Sequence, residues 1–266
     1  MEKIFYGKNE NQFGELRLPD GDGPHPVALV IHGGFWRSGF GLDLMHDVAE
    51  DLTDNGWATW NIEYRRVGQE GGGFPGTLQD AAQAADYLKT LAEDHPLDLG
   101  KAVSIGHSAG GHLALWIAGR HRLPEDSEMY TTDPFPIATA VSLAGVNDLE
   151  RMHDVHKFRD ETLALEPNNP VADFVGGSPS EKAERYKQAS PAELVPLGVP
   201  QILVHGSLDV HVPVGISDHY FQWAENLADF IKYVEISEAE HFMLTDTSTT
   251  AWARVMEEMD LLKEHL

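Results

Sequence analysis

Between residues 103 and 116 the chain reads VSIGHSAGGHLALW. An apolar, β-branched run ends at Gly106 and a helix-forming apolar run begins at Ala109, with only His107 and Ser108 between them. Gly106, Ser108 and Gly110 form a G-x-S-x-G pattern between a strand and a helix. A serine in that turn holds a strained backbone and presents its hydroxyl above the strand end, and the glycines remove side chains that would clash in the turn. The amide of Ala109, at the helix start, faces the same space and can bind an anion. The plain alternative is an ordinary strand–helix turn with a serine cap.

The rest of the chain repeats the strand–helix alternation. VALVIH (27–32), WATWNIEY (57–64), KAVSIG (101–106), IATAVSLAG (137–145), PQILVHG (200–206) and FIKYVEIS (230–237) read as strands. KIFYG and FGELRLP, near the N-terminus, read as a hairpin or edge pair. Helical patterns lie over 42–54, 77–95, 108–121, 215–228 and 249–266. The strands from Val27 onward are nearly continuous apolar runs, which fits parallel strands buried on both faces. The expectation is a mostly parallel eight-stranded sheet with helices on both sides, in a single α/β domain over 1–266. Its natural site is the set of loops at the carboxyl ends of the strands, beginning at His32, Gly106, Gly145, His205 and after Ser237. Residues 147–200 are polar and proline-broken, and read as a cap or lid insertion over those loops.

Charge and composition narrow the partners. The formal net charge of −24 disfavours nucleic acid and anionic membrane surfaces. There are no cysteines, so disulfides, zinc–thiolate sites and thiol nucleophiles are excluded. No apolar run is long enough to span a bilayer, and no signal peptide is visible in MEKIFYGKNENQF, so a cytoplasmic location is the default expectation. His153, Asp154 and His156 match no strong metal-ligand spacing, and neither a metal nor a cofactor is expected.

A serine hydroxyl needs a base at neutral pH. His241, after the last strand, is the candidate, and Asp209, in HGSLDVHVP after the preceding strand, is the acid that orients it. The chain order Ser, Asp, His matches the order for this kind of turn. Asp148, in AGVND, is the rival acid with the weaker context. His107 and His112 read as structural or packed, and His211 as a pocket wall. The oxyanion formed on attack needs backbone donors. The amides of Gly34, Phe35 and Ala109 are expected to supply them, with Gly33 the competing candidate. In HGGFW (32–36) the two glycines let the backbone approach a substrate without a Cβ. Gly33, Trp36, His107 and His211 are expected around the substrate pocket, while Trp36 reads equally as a core aromatic.

HGGFW, EYRRVG, GGGFPGTLQDAAQAADYL, GHSAGGHLA and HGSLDVHVP resemble segments of bacterial carboxylesterase-like members of the α/β-hydrolase superfamily. The resemblance covers nearly the whole chain and lies near the hormone-sensitive-lipase-like and arylformamidase-like groups. It implies a serine hydrolase cleaving esters of small or medium acyl or aryl groups through an acyl-enzyme. An arylformamidase, a peptidase-like hydrolase and a catalytically silent binding module are the alternatives. Phe35 stands where the hormone-sensitive-lipase-like pattern has a third glycine, and the large N-terminal helical cap of that group is absent.

Overall fold

The structure, a computed structural model, describes residues 1–266. The chain opens with the antiparallel pair β1 (Glu2–Phe5) and β2 (Phe13–Arg17), which joins the sheet through β4 (Ala58–Ile62). The remaining strands are β3 (His25–Ile31), β5 (Leu97–His107), β6 (Thr139–Leu143), β7 (Gln201–Gly206) and β8 (Ile231–Ile236). The spatial order is β1-β2-β4-β3-β5-β6-β7-β8, and every pair from β4 to β8 is parallel. The sheet is the mostly parallel, eight-stranded one that the alternation predicts.

Alternate residues of one strand feed opposite cores. Val27, Leu29 and Ile31 of β3 enter one cluster, and Ala28 and Val30 the other. The first cluster is closed by α2 (Gly76–Asp86), α3 (Leu88–Asp94), α4 (Ala109–Gly119) and α9 (Gly215–Asn226). The second is closed by α1 (His46–Asp54) and α10 (Thr250–His265). This two-sided burial is why the central strands read as apolar runs rather than as an alternation of polar and apolar residues. All eleven residues of α4 are buried, which explains a helix that is apolar all round.

Two predicted helices are divided. The 42–54 segment starts as a 3₁₀ turn over Leu42–Met45, where the Glu63 carboxylate accepts the Leu42 amide (3.2 Å) and Asn61 Nδ2 donates to the Leu42 carbonyl (3.0 Å). The 77–95 segment breaks at Tyr87, whose ring lies against Trp60.

Between β6 and β7 the chain leaves the sheet and forms α5 (Leu149–Thr162), α6 (Pro170–Val175), α7 (Ala183–Ala189) and α8 (Pro191–Leu194). Asp148 caps α5 by accepting the Arg151 amide at 3.0 Å, and Asn169 caps α6 ahead of Pro170. No helix is long and apolar enough to cross a membrane.

Candidate active site

The turn after β5 is tight in fact as well as in pattern. Ser108 has φ 58° and ψ −120°, a conformation that costs on the order of 1–3 kcal/mol for a residue with a side chain. Its amide donates to the Leu143 carbonyl at 2.8 Å, anchoring the turn to the end of β6. A Cβ on Gly106 would collide with the Gly110 carbonyl oxygen, and one on Gly110 would collide with that of Ile31. Only glycine fits where strand and helix cross this closely.

His241 begins a 3₁₀ turn after β8, held by Glu240, whose side chain accepts the amides of Phe242 and Met243. His241 Nδ1 lies 2.6 Å from Asp209 Oδ2. Asp209 Oδ1 accepts the amides of His211 (2.8 Å) and Val212 (2.9 Å). His205 Nε2 reaches Asp209 Oδ2 at 3.2 Å and the Val212 carbonyl at 2.9 Å. Burial by itself would raise the Asp209 pKa, but hydrogen bonds from His205 and His241 outweigh it and hold the carboxyl far below its usual range. Asp209 is therefore a fixed anion against one face of His241. Asp148, the rival acid, lies elsewhere: besides capping α5 it faces Arg151 and His219.

The polar contacts behind Asp209 continue inward. His205 Nδ1 lies 2.8 Å from Ser217 Oγ, which accepts from Asn147 Nδ2 at 3.1 Å, and Asn147 Oδ1 accepts from Ser142 Oγ at 2.8 Å. No periodicity in the chain pairs these residues, since they come from β6, β7, α9 and the loop after β6.

Ser108 and His241 share the wall of one cavity of about 200 Å3, with Gly34, Phe35, Phe40, Leu44, His107, His211, Phe242 and Thr245. The amides of Gly34 and Phe35 donate to no protein group, and Gly34 (φ 100°) and Phe35 (φ 50°) are both left-handed. Ala109 supplies the first amide of α4, which has no partner within the helix. His107 donates from Nε2 to the His241 carbonyl at 2.9 Å. Burial, then the charge of His241, lowers its pKa to about 3, so it is a neutral brace.

Two residues expected at the pocket do not line it. Gly33 sits under it, where a Cβ would meet the His107 carbonyl at 2.8 Å and Ser108 Cβ at 3.0 Å. Trp36 is fully buried and stacks on Phe174 of α6 with centroids 4.4 Å apart, while His112 meets both rings edge-on. It belongs to the core on which α6 is seated. Phe40, Leu44, Phe242 and Thr245 line the cavity with no motif to mark them in the sequence. Phe242 has one signal, its place beside His241. His153 lies beside Asp154, whereas His156 turns toward Phe35, and no three such side chains gather as metal ligands. A larger groove of about 590 Å3 between α5, α7 and α8 has mixed charge and contains neither Ser108 nor His241.

The family model BD-FAE matches residues 15–224. Esterase LipC of Mycobacterium tuberculosis is 25% identical over 243 residues, covering 85% of this chain and 55% of that protein. Versiconal hemiacetal acetate esterase of Dothistroma septosporum is 26% identical over 172 residues, covering 64% of this chain and 49% of that protein. The chain thus spans about half the length of these curated relatives. Among solved structures, a truncated carbohydrate esterase from gut microbiota superposes with a TM-score of 0.81 at 17% identity, over 98% of this chain and 95% of that one. At that identity the likeness speaks for the fold, the α/β-hydrolase arrangement.

Proposed function

This chain belongs to the BD-FAE family, and from that premise we propose that it is a serine hydrolase cleaving carboxylic esters of small to medium acyl or aryl groups. The carrying observation is the convergence at one cavity of Ser108, of His241 hydrogen-bonded to Asp209, and of the unpaired amides of Gly34 and Phe35. Both of the curated relatives above are named as esterases, which supports the ester as the bond attacked.

In this reading Ser108 Oγ attacks the carbonyl carbon while His241 Nε2 takes its proton. Asp209 keeps the other ring proton on Nδ1 and stabilises the imidazolium. The amides of Gly34, Phe35 and Ala109 hold the oxyanion, each donor contributing about 3 kcal/mol to the barrier reduction. Collapse expels the alcohol, which receives the proton from His241, and water then releases the acid from the acyl-enzyme by the same steps. Phe35, Phe40, Leu44 and Phe242 give the cavity an apolar wall suited to an acyl or aryl group. Residues 147–200 act as a cap, seated by the Trp36–Phe174 stack and by Arg37, which donates to Asn168 (2.6 Å) and Asp173 (2.7 Å).

Turnover of p-nitrophenyl acetate and butyrate, compared between the native chain and Ser108→Ala, tests the reading. The native chain should release p-nitrophenol and the variant should fall to background. Full activity in Ser108→Ala would remove Ser108 as nucleophile. Comparing N-formylkynurenine with a matched aryl ester then separates ester from formamide chemistry.

A further inference from the structure

Beneath the loop that follows β3 lies a buried charged cluster that the steps above do not use. His32 is fully buried, with the Tyr64 ring stacked on it at 4.3 Å between centroids. Its Nδ1 lies 2.7 Å from the Gly33 carbonyl oxygen, and its Nε2 lies 3.0 Å from Glu63 Oε1. A carbonyl oxygen can only accept. Glu63 is surrounded by donors: Oε1 takes the Tyr64 amide at 2.9 Å, Oε2 takes the Leu42 amide at 3.2 Å, and Arg66 Nη1 stands 3.3 Å from Oε2. Burial raises the Glu63 pKa, but the hydrogen bond and charge of His32, then Arg66, outweigh it and leave it lowered. Glu63 is thus a carboxylate. His32 Nδ1 therefore carries a proton and donates it to the Gly33 carbonyl.

The bond to Gly33 has a geometric consequence. The cis peptides are confined to Gly23-Pro24, Phe74-Pro75 and Val195-Pro196, so the Gly33–Gly34 peptide is trans. In a trans peptide the C=O and the following N–H point in opposite directions. With the Gly33 carbonyl drawn toward His32, the Gly34 N–H points away from it, on the residue that lines the cavity holding Ser108. Two adjacent glycines offer little resistance to rotation of this peptide plane. A rotated plane would turn a carbonyl oxygen toward the developing oxyanion.

We propose that His32, seated beside Glu63, is a positioning residue that fixes the Gly33–Gly34 peptide so that the Gly34 N–H serves the oxyanion hole. The inference rests on the serine-hydrolase reading for its kinetic consequence, but not for its structural one.

The test compares the native chain with His32→Phe and Glu63→Gln on p-nitrophenyl acetate, with Ser108→Ala as control. His32→Phe keeps a stacking ring but no donor. Its kcat should fall by about 10²- to 10³-fold, the effect of one lost oxyanion donor, with KM changed by less than about threefold. Glu63→Gln keeps the Nδ1 donor and loses only the carboxylate beside Nε2, and should fall by about tenfold at most. A folded His32→Phe variant within threefold of native kcat would overturn the proposal. Two readouts need no turnover, so failure of the serine-hydrolase reading stays distinguishable. Nitrogen-15 NMR of the native chain at neutral pH should show a proton on His32 Nδ1, and an Nδ1 without one would overturn it. A crystal structure of His32→Phe should show the Gly33 carbonyl rotated out of its native direction, and an unmoved carbonyl would equally overturn it.

Discussion

Asp209→Asn exchanges one oxygen for an amide nitrogen at almost constant volume, and the site is built so that this small change cannot be absorbed. Both oxygens of Asp209 accept: Oδ1 from the backbone amides of His211 and Val212, Oδ2 from His241 and His205. An asparagine has one accepting end, so its NH2 confronts two donors whichever way it turns. The backbone amides cannot shed their protons, whereas imidazoles can move theirs. The NH2 therefore settles toward the histidines, and His241 shifts its proton from Nδ1 to Nε2. A ring protonated at Nε2 cannot accept the Ser108 proton. The expected loss in kcat is about 10⁴-fold, the cost of the wrong tautomer in a serine triad, or about 5 kcal/mol in the barrier. The assay is p-nitrophenyl acetate hydrolysis at neutral pH, with thermal unfolding measured in parallel. KM should change little, because the acid acts on the transition state. A folded Asp209→Asn variant keeping more than a tenth of native kcat would refute the assignment of Asp209 as the orienting acid.

Other perturbations follow from the packing. Gly110→Ala drives a Cβ into the Ile31 carbonyl and should lower stability by about 3 kcal/mol or more, and an unchanged melting temperature would contradict so close a crossing of β3 and α4. Trp36→Ala should cost about 3–5 kcal/mol and speed hydrogen exchange in residues 170–189, and exchange unchanged there would show that the Trp36–Phe174 stack does not seat the cap. Burial lowers the pKa of His107 to about 3 and of His112 and His156 to about 4. Below the unfolded value of about 6.5 the unfolded chain binds protons that the folded chain refuses, so stability falls as pH drops from about 6.5 toward 4. Urea midpoints across that range should decline, less steeply in His112→Gln, and a flat profile would contradict neutral burial of these rings.

The sheet was legible because strands buried on both faces carry apolar runs with little alternation, and Val27–Ile31 of β3 and Ile202–Val204 of β7 are such runs. The turn at Ser108 was legible because close backbone crossing demands glycine at fixed spacing. Trp36 was ambiguous for a physical reason: an aromatic beside a glycine pair suits a pocket or a core equally, and the stack on Phe174, far along the chain, decides between them. Glu63 carried even less signal. At the end of WATWNIEY it reads as a polar strand terminus, and its meaning comes only from His32, Leu42 and Arg66 brought around it. Partnerships of this kind are set by tertiary geometry, which local pattern does not encode.

The buried thread from Ser142 through Asn147, Ser217 and His205 to Asp209 fixes where the segment between β6 and β7 can be exchanged. Asn147 stands at the first position of the 147–200 stretch, yet it is wired into the scaffold, and a Cβ on neighbouring Gly145 would collide with both Ser142 Oγ and Asn147 Oδ1. The seam between the sheet scaffold and the helices α5 to α8 therefore lies after Asn147. Grafting a foreign segment downstream of it leaves the support of Asp209 intact. A graft that carries its own residue into position 147 severs that support at a point far from the substrate, and the damage surfaces at His241.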